Sequence, residues 1–134
     1  MAVSVDKGCD RAMSEAMECF SRGVELFKAG DIDAAIEQLE EATRSDHSNY
    51  KAFNYLGAAY AAKKRYNAAV GAFKTAEQIA PNVASIHYNI AQAYEACGMA
   101  TEAEYEYERA LQIDPNYDKA RESLARVKKK LKHI

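Results

Sequence analysis

A chain of 134 residues, 49% hydrophobic and 28% charged, has room for one domain (1–134) with a modest core and the make-up of a folded, water-exposed protein. The formal net charge of −2 gives no electrostatic reason to expect a nucleic-acid partner. The three cysteines contain no CxxC pair, which fits a reducing, cytoplasmic setting better than a disulfide framework.

The amino-terminal stretch, Met1 to Met13, carries Asp6, Lys7, Asp10 and Arg11 and no apolar run, so it reads neither as a signal peptide nor as a membrane span. Strand patterning is absent and Pro is limited to Pro81 and Pro115, so the expected class is all-α. From Ala16 onward the chain repeats at a step of 34 residues. Gly23, Gly57 and Ala91 fall in one column, and Ala35, Ala69 and Ala103 in another. Leu26, Tyr60 and Tyr94 form a third, Leu39, Phe73 and Tyr107 a fourth, and Ala42, Ala76 and Ala110 a fifth. Such a period, with small residues in some columns and large ones between them, is the pattern of stacked helical hairpins. Each hairpin buries its core against its neighbours and leaves one concave wall free.

The repeats are expected at 16–49, 50–83 and 84–117, with a capping helix at 118–132. Each repeat should divide into two helices of about a dozen residues. In the first, apolar periodicity runs to Phe27, breaks at Ala29-Gly30-Asp31, and resumes through Ile32, Ala35, Ile36 and Leu39. Gly30 and Gly98 suit the left-handed residue that ends a helix. Asp33, Asn67 and Thr101 are expected to cap the second helices. Pro81 and Pro115 stop the second helices of repeats two and three, a place that His47 takes in repeat one. The stacking faces read Ala52, Leu56, Ala59, then Ile86, Ile90, Ala93, then Ala120, Leu124, Val127. In repeat one the same columns hold Glu18, Arg22 and Glu25, so nothing stacks there. At the far end Lys128 replaces the tyrosine column and Arg126, Lys129 and Lys130 face outward, a polar cap that argues against end-to-end filaments.

Leu56-Gly57-x-x-Tyr60, followed by Ala69, Phe73, Ala76 and Pro81, resembles the tetratricopeptide repeat. Ile90, Ala91, Tyr94, Ala103, Tyr107, Ala110 and Pro115 repeat that pattern, and the resemblance covers Ala16 to Tyr117 plus the helix after it. It implies a right-handed α-solenoid and a non-enzymatic adaptor or scaffold that binds a peptide or helical segment of a partner protein. By the same resemblance the first helices line a concave groove. Repeat one would contribute Met17, Phe20, Val24 and Phe27; repeat two Lys51, Asn54, Tyr55, Ala58, Ala61 and Ala62. Repeat three would add Ser85, Tyr88, Asn89, Gln92, Glu95 and Ala96, and the last helix Lys119, Glu122 and Arg126. Relatives that hold the acidic tails of chaperones use basic and amide groups in columns that here carry Phe20, Val24, Tyr55, Ser85 and Asn89. None is Lys or Arg, so such a tail is not the expected partner.

Met13, Met17, Phe20, Val24 and Phe27 form an apolar stripe distinct from the core face of Cys19, Gly23 and Leu26. It is expected to be an exposed docking or self-association surface, unless Val3 and Val5 fold back over it or it thickens the core. Asn54, Asn89 and Gln92 each donate and accept, which suits a peptide backbone. His87 shares a column with Cys19 and Phe53 and is expected to be a half-buried packing residue, about 15 Å along its helix from Cys97. His47 and His133 lack ligand spacing, and no metal or cofactor is expected. Glu102, Glu104, Glu106 and Glu108 read as a solvated acidic rim, and no catalytic motif is present. Arg126, Lys128, Lys129, Lys130 and Lys132 suit a helix carboxyl end, with an anionic membrane or nucleic-acid surface as the alternative.

Overall fold

The structure, a computed structural model, describes the backbone of residues 4–132 and the side chains of residues 14–132. The described residues form helices α1 (Ser4–Ala29), α2 (Ile32–Ser45), α3 (Tyr50–Ala62), α4 (Tyr66–Ile79), α5 (Ala84–Ala96), α6 (Ala100–Ile113) and α7 (Asp118–Lys132), with no strand among them. α1 packs on α2, α3 on α4 and α5 on α6; α2 then meets α3, α4 meets α5, and α6 meets α7. α1, α3 and α5 also touch directly and form the inner wall, with α2, α4 and α6 outside. The fold is an all-α helical repeat.

The hairpin turns show why the helices stop where they do. Gly30 (φ +87°) and Gly98 (φ +80°) take the left-handed conformation that a Cβ makes costly, as the sequence predicts. The middle turn places Lys64 there at φ 63°, in the same column and without glycine's freedom. The expected caps require correction. α2, α4 and α6 begin after Asp31, Arg65 and Met99, none of which makes a side-chain cap bond, so Asp33, Asn67 and Thr101 lie inside the first turn. Asn49 caps α3 instead, its side chain accepting from the Lys51 and Ala52 amides.

α1 is twice the expected length, reaching back to Ser4 with no proline in the stretch to stop it. Val3 and the side chains of Val5 and Met13, which the sequence offers as a cover or as part of the stripe, lie outside the described residues.

The small columns permit close helix approach. A Cβ on Gly57 would stand 2.5 Å from the Phe73 ring, and one on Gly23 would stand 2.6 Å from Leu39 Cγ. Ala35, Ala69, Ala91 and Ala103 are fully buried around those contacts. Ala52, Leu56, Ala59, Ile86, Ile90, Ala93, Ala120 and Val127 are buried at the junctions between hairpins, while Glu18, Arg22 and Glu25 are exposed. One polar contact recurs at each junction in the same two columns. Tyr60 donates to Glu40, Lys74 sits 6.0 Å over the Tyr94 ring, and Lys128 lies 3.9 Å from Glu108. Burial, with Glu40 beside it, pushes the Tyr60 hydroxyl up to about 12.

His87 is fully buried, not half-buried. Glu106 is not part of a solvated rim: it is 6% exposed, its carboxylate 2.9 Å from His87 Nδ1. The alternating glutamates of α6 do fall on two faces, but of the four only Glu106 is buried.

Candidate functional site

The inner wall changes character from α1 to α7. On α1, Phe20 and Phe27 pack edge-on against Tyr55 of α3, with ring centroids 6.1 and 5.8 Å away. This corrects the exposed stripe: Phe20, Val24 and Phe27 are half-buried, Phe20 and Phe27 pack against the core, and among the described residues of the stripe only Met17, 66% exposed, stands clear. Alternation along α1 could not show that α3 would supply a ring between the two phenylalanines.

In the middle of the wall the side chains shrink. A hollow of ≈ 230 Å³ is lined by Phe27, Asn54, Tyr55, Ala58 and Asn89. A second, of ≈ 180 Å³, is lined by Ala58, Ala61, Asn89, Gln92 and Ala93, with Tyr66 and Phe73 behind. The two share Ala58 and Asn89, so they form one trough running about 10 Å along α3 from Asn54 to Ala61. Each hollow is smaller than the roughly 300–1,000 Å³ of a small-molecule site and matches single side chains.

The amides in the trough are held in place. Asn89 Nδ2 donates to Asn54 Oδ1 at 3.0 Å, and Gln92 Nε2 donates to the Tyr88 hydroxyl at 2.9 Å. Each amide keeps a free donor or acceptor beyond that bond, because a primary amide offers two of each. Tyr88 is further fixed by stacking on Tyr117 at 5.2 Å. Of the other groove residues expected from the sequence, Lys51 and Ala62 lie exposed near the two ends of α3, off the trough floor.

Beyond Gln92 the wall becomes charged. Glu95 receives two parallel bonds from Arg126 of α7, both 2.9 Å, one from the Tyr107 hydroxyl at 2.8 Å and one from Lys130 at 3.3 Å. The Arg126 bonds above all hold the Glu95 carboxyl down at about 2 against the opposing effect of burial. Burial, with Glu95 facing it, pushes the Tyr107 hydroxyl up. Arg126 and Lys130 therefore do not simply face outward: their charged ends close the groove onto α5.

The family model for the tetratricopeptide repeat matches residues 20–84 and again 84–117. Among curated proteins, the chain is 26% identical over 96 residues to superkiller complex protein 3 of Homo sapiens, covering 72% of this chain and 6% of that protein. It is 28% identical over 126 residues to tetratricopeptide repeat protein 14 of Mus musculus, covering 89% of this chain and 16% of that one. The chain thus spans a small part of either relative. Among solved structures, the first repeat domain of Spaghetti (RPAP3) bound to HSP90 peptide SRMEEVD superposes with a TM-score of 0.85 at 24% identity, covering 88% of this chain and 94% of that one. The second repeat domain of human RPAP3 in complex with HSP70 peptide SGPTIEEVD gives 0.83 at 22%, covering 87% and 98%.

Proposed function

Since the chain belongs to the tetratricopeptide repeat family, we propose that it is a non-enzymatic adaptor that grips a segment of a partner protein in the trough between α1, α3 and α5. The observation that carries this is the pair of adjoining side-chain-sized hollows with the Asn54–Asn89 amide pair between them. The Phe27–Tyr55–Ala58 hollow takes an apolar side chain of the segment. Free amide groups on Asn54, Asn89 and Gln92 pair with its backbone, as extended peptides require. Relatives of the same fold hold peptides, which supports a groove ligand without naming it.

An acidic chaperone tail is not the ligand in this proposal. Phe20 and Tyr55 pack on each other, Asn89 is bonded to Asn54, and Arg126 is bound to Glu95. A terminal carboxylate in the trough would meet no free cation. Self-association through the α1 stripe loses most of its support once Phe20 and Phe27 pack on Tyr55, leaving Met17 as its exposed part among the described residues. No described helix is long and apolar enough to cross a membrane, and Cys19 and Cys97 are free thiols; a cytoplasmic setting is part of the proposal.

The test uses a peptide selected from a random library on the full chain, with amide chemical shifts mapped on binding. Shifts are expected at Ala58, Ala61, Asn89 and Gln92, and Ala58→Arg should abolish binding with helicity unchanged. The peptide SRMEEVD should give no saturable shift. Peptides that map to the outer helices, or that bind Ala58→Arg as tightly as the parent, overturn the proposal.

A further inference from the structure

On the outer side, at the junction of the second and third hairpins, three ligand-type side chains meet. Glu77 comes from α4, His87 from α5 and Glu106 from α6, and one oxygen or nitrogen of each lies within 4.8 Å of the others. His87 Nδ1 is 2.9 Å from Glu106 Oε1 and 3.5 Å from Glu77 Oε2. Its other nitrogen, Nε2, lies 3.3 Å from the Pro81 carbonyl. A carbonyl only accepts, so Nε2 carries a hydrogen and Nδ1 is the edge that faces both carboxylates.

One proton on that edge can serve only one of two carboxylate oxygens, whereas a metal ion can serve all three groups. Ligand atoms about 2.0–2.2 Å from one ion stand roughly 3–3.5 Å from each other at octahedral or tetrahedral angles, the range of the two separations from Nδ1. Imidazole and carboxylate donors suit a divalent first-row transition ion. The backbone bond from Nε2 is the outer-shell contact that fixes a ligating histidine's orientation. Two carboxylates also neutralise a divalent charge, which lets Glu106 stay buried without a net charge at the site. The Glu77 side chain is 31% exposed and supplies a way in from solvent, while those of His87 and Glu106 are 2% and 8% exposed.

We propose that Glu77, His87 and Glu106 bind one divalent transition-metal ion, which clips α4, α5 and α6 together across the junction. Lys74, on α4, is the nearby charge that opposes a cation. Burial disfavours its ammonium, but Tyr94, Glu106 and Glu77 together outweigh that and raise its pKa. It stands over the Tyr94 ring and is exposed. The ion is separate from the trough, so a failure here leaves the peptide groove untouched.

The test is calorimetric titration of the full chain, stripped with chelator, with Zn²⁺, and absorption of the Co²⁺ form. One ion per chain, a Tm raised by several degrees and a Co²⁺ spectrum without thiolate charge-transfer bands are expected. Glu77→Gln should weaken binding at least 10-fold. The triple change Glu77→Thr, His87→Phe, Glu106→Ala should abolish it while keeping helicity, because it installs the residue types that Thr43, Phe53 and Ala72 supply at the preceding junction. Absence of saturable binding, thiolate bands, or equal binding by the triple variant would each overturn the proposal.

Discussion

The two junctions between hairpins hold the same columns and opposite chemistry. Where the first hairpin meets the second, the columns carry Thr43, Phe53 and Ala72; where the second meets the third, they carry Glu77, His87 and Glu106. Thr43 satisfies itself on the Glu40 carbonyl of its own helix, and Ala72 is a buried methyl, so in these three columns that junction asks nothing of its partner beyond shape. The second junction depends on three side chains from three helices meeting with their protons or an ion arranged. Hairpin stacking is thus indifferent to what fills these positions, provided each set is complete in itself.

Breaking one set halfway should produce the largest effect. In chelator, His87→Phe alone leaves Glu106 buried without its partner, and a loss of about 3–5 kcal/mol in urea unfolding is expected. The triple change Glu77→Thr, His87→Phe, Glu106→Ala should instead be neutral or stabilising by up to about 4 kcal/mol. Equal stabilities for the single and triple variants would show that the cluster's members act independently, and the contrast between the junctions would vanish.

The shared scaffold beneath both junctions comes next. Ala69 is fully buried in the column where α4 meets α3, and Ala69→Leu should cost about 1–3 kcal/mol by overpacking. An unchanged Tm would mean that the array can open its hairpins without penalty.

That scaffold was legible in the sequence because it depends on columns: the small-residue pairs, the stacking faces and the left-handed glycines each recur at the period. The chemistry laid on it was not, because it depends on residues that break their columns. His87 stood out as a packing position, yet its partners lie ten residues before and nineteen after, in columns whose other members are Thr43 and Leu111 for Glu77, and Gln38 and Ala72 for Glu106. Glu106 sat in a run of alternating glutamates that any exposed helix could carry. Phe20 and Phe27 read as a free stripe since Tyr55 reaches them from another helix. Glu95 and Arg126 were both groove positions by column, but neither column predicts a bidentate pair across 31 residues.

That pair extends the comparison to a third kind of contact, charged and half open to solvent. Arg126, with Tyr107 and Lys130, lowers the Glu95 carboxyl from 4.5 to about 2. A depressed carboxyl contributes stability above its unfolded value, and that stability is lost as pH falls from about 4.5 toward 2. After allowance for solvent screening the loss should be about 1–2 kcal/mol. It should be smaller in Arg126→Met, whose stability curve should run flatter across that window. Parallel curves for the two proteins would remove Arg126 as the cause.

The smallest expected effect lies in a turn, where one hairpin departs from the other two. Gly30 and Gly98 occupy the left-handed region freely, whereas Lys64 enters it at φ 63° with a Cβ that crowds its own carbonyl. Lys64→Gly should raise stability by about 0.5–1 kcal/mol, the left-handed strain relieved exceeding the extra freedom that glycine adds to the unfolded chain. Gly98→Ala, run alongside, should lose a similar amount at a position where a new Cβ meets nothing within 4 Å, so that only backbone conformation is tested. If Lys64→Gly gains nothing while Gly98→Ala still loses, the lysine contributes in the folded turn as much as its φ costs. The middle hairpin would then differ from its neighbours by compensation and not by strain.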